Sequence, residues 1–140
     1  MFVLHTNVLS ATMGPTPDTQ VEAWIIARPL DLLFTTAICQ AEVLAGLAIM
    51  PDGGRRRAFE SAARAMFLED FEGRILPFDT DATTAYAELF AARRRAGRPI
   101  AIPDLMIAAI ASAQGASVVT RDTSGFEGCG LTLVNPWDAA

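Results

Sequence analysis

Four residues, by their types and their places in the predicted elements of the chain, favour one reactive site. His5, the single histidine, follows a short apolar strand, and Asp122 follows a later strand. Asp104 lies at the start of a helix, and Glu42 lies inside an apolar helix. The ends of parallel strands and the starts of helices converge at one edge of a sheet, so we expect one shared crevice. Carboxylates brought together there would repel each other unless a cation joined them, which predicts a divalent-metal site.

Glu42 is the most informative of these residues because it has no local charge partner. No basic residue occurs between Arg28 and Arg55. Its helical neighbours three and four residues away are Ile38, Cys39, Ala45 and Gly46. An ionised carboxylate buried without a partner is costly, so a metal, a distant base or water must compensate it. A structural or solvated role for Glu42 also fits this pattern.

The other polar residues have structural interpretations as well. An acid in the first turn of a helix, such as Asp104, is stabilised by the helix dipole. Asp122 fits a residue that shapes a local turn. Thr6 and Asn7, in the polar turn after His5, fit helix-capping residues. The convergence of the acids, rather than any one of them, favours the metal site.

Apolar periodicity and turn residues predict an alternation of strands and helices along the chain. The predicted strands span residues 1–4, 32–35, 74–78, 117–120 and 131–134. The predicted helices span residues 7–12, 19–27, 36–50, 55–71, 79–96 and 102–115. Asp18 is expected to cap the second helix, and Asp79 or Asp81 the fifth. This alternation predicts a single α/β domain over residues 1–140, with a mostly parallel sheet of about four or five strands covered by helices on both faces.

Composition limits the ways in which this chain binds partners. Its 140 residues, 51% of them hydrophobic, are enough for one domain with a buried core. A net charge of −5 argues against wrapping nucleic acid mainly by charge. All eleven basic residues are arginines, with triplets at 55–57 and 93–95 and Arg98 close behind. These clusters fit either contacts with RNA or an acidic partner, or solvated helix faces.

The cysteines and the apolar segments indicate the cellular compartment in which the protein is expected. Cys39 lies in an apolar helical pattern and Cys129 in a glycine-rich loop, and their spacing resembles neither a disulfide framework nor a zinc site. We expect both to be free thiols. The apolar stretch 41–50 is too short and too rich in alanine and glycine to span a bilayer. The expectation is a soluble cytoplasmic protein with no membrane segment.

Several segments together resemble the PIN-domain ribonucleases. They are residues 2–10, 35–46, 98–104, 120–122 and 126–128, and their order and spacing cover nearly the whole chain. Within these ribonucleases, the chain is most similar to the VapC and FitB type of toxin, the nuclease half of a type II toxin–antitoxin pair. The resemblance implies a metal-dependent endoribonuclease that cuts a structured RNA such as tRNA or ribosomal RNA.

The resemblance also implies specific site residues and partners. Glu42, Asp104 and Asp122 match family acids around Mg²⁺ or Mn²⁺, and His5 stands where the family usually has aspartate. Oxygen ligands suit these hard cations. The implied partners are an RNA substrate, a second copy of the chain in a homodimer and a cognate antitoxin whose basic residue reaches the acids. Apart from the resemblance, the apolar helices at 37–50 and 55–71 are the candidate partner-binding surface, although ordinary core packing also explains much of their pattern.

Two positions depart from the family pattern. Gly125 stands where many relatives have a polar or acidic residue. His5 offers one nitrogen in place of an anionic oxygen, which weakens the match to Mg²⁺ and favours Mn²⁺, Zn²⁺ or Ni²⁺. His5 therefore fits a transition-metal ligand, a change introduced or selected because it tolerates expression of a toxin, or a core histidine with ordinary hydrogen bonds, and we favour the second.

A further hypothesis follows from the charges around His5. Three neighbouring carboxylates would favour an imidazolium that occupies the position of the metal and neutralises the pocket. Since His5 is expected to weaken or abolish nuclease activity, the rival function is a non-catalytic module that binds RNA or the antitoxin. A phosphohydrolase with an aspartyl nucleophile is disfavoured, because no aspartate occurs near position 5.

Overall fold

A computed structural model of the chain describes residues 1–138 and shows an α/β fold with five strands. The strands are β1 (Phe2–Leu4), β2 (Leu33–Thr36), β3 (Ile75–Leu76), β4 (Ser117–Val119) and β5 (Leu133–Val134). They form one sheet in the order β3-β2-β1-β4-β5, and every pairing is parallel. The predicted parallel α/β architecture is confirmed. Residues 139–140 of the expected domain lie outside the described residues.

The helices connect these strands. They are α1 (Thr6–Thr12), α2 (Thr19–Ile26), α3 (Ala37–Ala48), α4 (Gly54–Ala65), α5 (Thr80–Arg95), α6 (Ile102–Gln114) and α7 (Thr123–Phe126). A 3₁₀ turn at Leu30–Leu32 precedes β2, and a π-helical turn at Met66–Asp70 follows α4. No helix within residues 1–138 combines the length and the apolar character that a membrane crossing needs.

The central strands are covered on both faces. Successive side chains of a strand point to opposite sides of the sheet. Val3 and Leu4 in β1 are both buried, as are Val118 and Val119 in β4. Helix α6 supplies much of the apolar cover, with six buried residues: Leu105, Ile107, Ala108, Ala109, Ile110 and Ala111. This packing fixes the carboxyl ends of β1 and β4 side by side.

Local sequence signals explain several helix ends. Asp18 accepts hydrogen bonds from the backbone N–H groups of Gln20 and Val21, and these bonds together with the Trp137 indole lower the pKa of its carboxyl. Asp79, not Asp81, caps α5. Helix α6 ends where Gly115 adopts φ of 64°, a left-handed conformation that glycine takes without a Cβ clash.

Several elements differ in length or form from the prediction. The helix predicted over 55–71 keeps regular α geometry only to Ala65, and a π-helical turn with a bond from Phe71 N–H to Met66 O completes it. The strand predicted over 74–78 is only Ile75–Leu76, because Pro77 has no N–H to extend the ladder. Residues 123–126, for which no element was predicted, form α7, and Asp122 caps this short helix as a turn-shaping residue.

Candidate metal centre

Strand β1 delivers His5 to the carboxyl edge of the sheet. The backbone N–H of His5 donates to Val119 O at 2.9 Å, which extends the pairing of β1 with β4 by one residue. The ring is buried, with 7% of the residue exposed. Thr36 begins α3 by capping the Cys39 N–H, and Glu42 follows on the same helix. Asp104 lies in the first turn of α6.

His5, Glu42 and Asp104 form one cluster. Each contributes one ligand atom, and the three atoms lie within 4.8 Å of one another. Thr6 Oγ1 donates a 2.8 Å hydrogen bond to Glu42 Oε1, which holds that carboxylate toward the cluster. One imidazole nitrogen and two carboxylates suit a divalent ion such as Mn²⁺ or Zn²⁺ better than they suit Mg²⁺, because Mg²⁺ prefers a shell made only of oxygen ligands. The acids of Glu42 and Asp104 thus fit a metal, and His5 restricts which one.

The imidazole of His5 is bonded at both nitrogens. Its Nε2 lies 3.1 Å from Asp104 Oδ1, and its Nδ1 lies 2.8 Å from Thr120 Oγ1. The His5 ring and the ring of buried Phe126 pack edge to face, with centroids 5.2 Å apart and an interplanar angle of 83°. These contacts are those of a buried histidine held in a single orientation.

Asp122 lies outside this three-residue group. It is exposed, and its Oδ1 accepts hydrogen bonds from Gly125 N–H at 3.2 Å and Ser124 Oγ at 3.4 Å. A Cβ atom at position 125 would overlap the Asp122 carboxylate. Gly125 therefore permits Asp122 to fold back onto its own turn. The departure at Gly125 is directly coupled to the position of Asp122, the third predicted acid.

Thr120 is a site residue to which the sequence pattern assigned no role. It is fully buried directly after β4, and its Oγ1 accepts from Asn7 Nδ2 at 3.1 Å and from Asp122 N–H at 3.0 Å. Its hydroxyl contacts His5 as well. A polar residue that ends an otherwise apolar strand beside a predicted site is the signal that points to such a role.

Arg93 is a second residue that sequence reasoning missed. It belongs to the triplet 93–95 but is buried, and its guanidinium donates to the backbone oxygens of Glu127 and Gly125. Position 93 follows buried Leu89 by four residues on α5, so it continues the buried face of that helix. Arg93 thus anchors the segment that carries α7.

The remaining arginine clusters and the cysteines have simpler environments. Arg56 bridges Asp52 at 3.2 Å and Glu60 at 2.5 Å on the surface of α4. Arg98 lies 3.6 Å from Glu127. Cys39 and Cys129 are both free and buried, as predicted, and burial raises the pKa of each thiol.

Comparison with known proteins identifies the family. The model of the PIN domain family matches residues 2–127 of this chain. The chain belongs to the PIN domain family. The VapC ribonuclease Y4jK of Sinorhizobium fredii is 46% identical over 140 residues, and the alignment covers all of both chains. Toxin FitB of Neisseria gonorrhoeae is 34% identical over 137 residues, covering 98% of this chain and 99% of FitB. This PIN domain is therefore a homologue of VapC- and FitB-type toxins.

Solved structures agree with this PIN-domain assignment. A structure of FitAB bound to an IR36 DNA fragment superimposes with a TM-score of 0.91 at 34% identity, covering 100% of this chain and 98% of that chain. The crystal structure of FitAcB from Neisseria gonorrhoeae gives a TM-score of 0.87 at 32% identity, with 99% of both chains covered. The fold expected from the sequence resemblance is confirmed.

Proposed function

We propose that this PIN domain is a metal-dependent endoribonuclease toxin whose activity is reduced by His5 and which a cognate antitoxin holds inactive. The observation that carries the proposal is the convergence of His5, Glu42 and Asp104, whose ligand atoms lie within 4.8 Å of one another although they come from three separate elements. Relatives of this chain are named as a ribonuclease and as a toxin, which supports RNA as the substrate class. The family resemblance implies a structured RNA such as tRNA or ribosomal RNA.

Glu42 and Asp104 are the residues that would hold the divalent ion, with the His5 ring beside them. When bound, such an ion activates a water molecule and stabilises the charge on the scissile phosphate. Thr6 orients Glu42 by a hydrogen bond from its hydroxyl. One oxygen of the Asp104 carboxylate forms a hydrogen bond with Nε2 of the His5 ring. The Asp122 carboxylate caps α7 and lies outside the three-residue cluster, so we assign it a secondary role.

Mn²⁺ is the ion that this donor set favours among those implied by the family. We expect Glu42→Gln to weaken Mn²⁺ binding by about tenfold or more, because an anionic ligand becomes neutral while its size is kept. Electron paramagnetic resonance of free Mn²⁺ in equilibrium with the protein measures this affinity. Glu88→Gln on the exposed face of α5 is the matched control and should bind like the unchanged chain. Equal affinity of the Glu42→Gln variant would contradict the proposed centre.

A second candidate function is a PIN-like module that binds RNA or the antitoxin without hydrolysis. The bond between His5 Nε2 and Asp104 Oδ1 favours it, because this contact uses a carboxylate oxygen that a metal would need. Metal affinity alone does not separate the two candidates. The variant His5→Asp does so, since it removes the imidazole and leaves the rest of the cleft unchanged.

We place the antitoxin in a groove between α3 and α4. This groove, of about 660 Å³, has an apolar floor that includes Leu47 and Phe67, with Leu44 and Leu68 exposed beside it. A second depression of about 220 Å³ shares Leu47 with the groove and reaches Glu42. A chain segment lying along both would approach the acidic cluster. FitAcB and FitAB are assemblies of related toxins, and we propose an apolar antitoxin segment ending in a basic residue as the occupant.

The groove proposal predicts which exposed leucines matter. The double variant Leu44→Asp, Leu68→Asp should lose about 2 kcal/mol or more of binding free energy for the cognate antitoxin, because it places charges on the apolar contact surface. Isothermal titration calorimetry with that antitoxin measures the change. Ile26→Asp alters an 81% exposed apolar residue of α2 away from the groove and serves as the control. Unchanged binding by the double variant would remove the groove as the docking site.

We further propose that the chain acts as a homodimer, as the family resemblance implies. Sedimentation equilibrium of the isolated chain distinguishes a dimer from a monomer.

A further inference from the structure

Three nitrogen atoms surround the hydroxyl of Thr120, but a hydroxyl oxygen can accept only two hydrogen bonds. Its Oγ1 lies within hydrogen-bond distance of Asn7 Nδ2, Asp122 N and His5 Nδ1. A hydroxyl has two acceptor lone pairs and one O–H donor. The backbone N–H of Asp122 can only donate, so it takes one of these lone pairs. The roles of the other two contacts follow from the orientation of Asn7.

A second backbone N–H fixes the amide of Asn7. The N–H of Arg121 donates to Asn7 Oδ1 at 3.3 Å. Rotating the amide by a half turn would set an NH₂ group against this N–H, which would place two donors face to face. The NH₂ group of Asn7 therefore faces Thr120 and occupies the second lone pair of Oγ1. Both lone pairs are then used.

The only group left for the contact with His5 is the Thr120 O–H. It must donate to Nδ1, so Nδ1 is the unprotonated nitrogen of the ring. The proton of a neutral imidazole then lies on Nε2, where the Asp104 carboxylate accepts it at 3.1 Å. Hydrogen bonds thus run in one direction from the Arg121 and Asp122 backbone through Thr120 and His5 to Asp104.

We propose that Thr120 is a positioning residue that fixes the His5 ring as the Nε2-protonated tautomer, so that the ring donates to Asp104. The assignment concerns the metal-free protein and holds whether or not the chain cuts RNA.

The fixed tautomer has a consequence for metal binding. Nε2 carries a proton, so its lone pair can bind a cation only after the proton moves to Nδ1. Thr120 would then have to accept from Nδ1, and either Asn7 or Asp122 N–H would lose its acceptor. The oxygens of Glu42 and Asp104 can bind a cation without the transfer of a proton between ring nitrogens. The network therefore makes His5 the weakest ligand of the cluster.

The unchanged protein provides the first test, because it contains a single histidine. Long-range ¹H–¹⁵N correlation spectra of the metal-free chain at mildly alkaline pH report which ring nitrogen is protonated. We expect a pyridine-type signal for Nδ1 and a pyrrole-type signal for Nε2. A pyrrole-type Nδ1, or two protonated nitrogens, would overturn the proposal.

The second test separates Thr120 from Asp104, since a carboxylate beside Nε2 also favours a proton there. If Thr120 fixes the tautomer, Asp104→Ala keeps the Nε2-protonated form, and the added change Thr120→Val converts it to a mixture of tautomers. Thr120→Ser in the Asp104→Ala background retains the hydroxyl and should restore the single form. Amide spectra of each variant establish that it is folded. A mixture in Asp104→Ala alone would show that Asp104, not Thr120, sets the tautomer.

Discussion

His5→Asp is expected to raise metal-dependent RNA cleavage on the order of 10²-fold or more. The aspartate supplies an anionic oxygen, so that Glu42, Asp104 and the new residue form an all-carboxylate set suited to Mg²⁺ and Mn²⁺. The substitution also removes the ring group that forms a hydrogen bond with Asp104. The new carboxylate can still accept a hydrogen bond from the Thr120 hydroxyl. Cleavage of end-labelled tRNA with and without Mg²⁺ measures the gain, and growth after induction without antitoxin reports it in cells.

Two controls make the result specific. His5→Asn has nearly the shape of aspartate but no charge, so it should give little gain. The double variant His5→Asp, Glu42→Gln should lose most of the gain, because the ion loses an anionic ligand. If His5→Asp produced neither metal-dependent cleavage nor growth arrest, the nuclease proposal would lose its main support and the non-catalytic module would be favoured.

Arg93→Ala is expected to lower the free energy of unfolding by about 3 kcal/mol, the largest stability effect that we expect from a single arginine. The buried guanidinium donates to the carbonyl oxygens of Glu127 and Gly125. Its removal leaves both oxygens without a donor and leaves a cavity where the side chain was. Chemical denaturation followed by circular dichroism measures the loss.

Arg94→Ala is the matched control for this prediction. Arg94 neighbours Arg93 on the same helix but is exposed, so its replacement should change stability by about 0.5 kcal/mol or less. Equal effects of the two variants would mean that the contacts of Arg93 with the α7 segment contribute little. A large effect of Arg93→Ala alone would establish that one arginine of the triplet is structural.

The sequence predicted the sheet because local and tertiary signals agree there. Apolar runs near residues 1–4 and 117–120, separated by helical patterns, indicate buried parallel strands, and β1 and β4 lie side by side in the sheet. The ends of elements were less certain, because they depend on single groups. Pro77 stops β3, and a π-helical turn completes the segment after α4.

The sequence predicted one shared crevice for four residues, of which three lie together in the structure, and it did not predict their hydrogen bonds. The sequence indicates that His5, Glu42 and Asp104 share one edge of the sheet, and in the structure their ligand atoms form a cluster. It does not indicate that the Asp122 carboxylate folds onto its own turn, because that depends on the missing side chain at Gly125. The role of Thr120 depends on three groups that surround its hydroxyl oxygen, and only the tertiary structure brings these groups together.

The same topology bears on the order of biosynthesis. His5 lies near the start of the chain, whereas its two ring partners lie 99 and 115 positions further on. A ribosome adds about 5–20 residues per second, so several seconds separate translation of the first strand from that of β4. During this interval the cleft cannot exist, because one wall has not been made. A nascent chain of this fold therefore cannot assemble the His5 cluster with its hydrogen bonds until β4 and Thr120 have been translated.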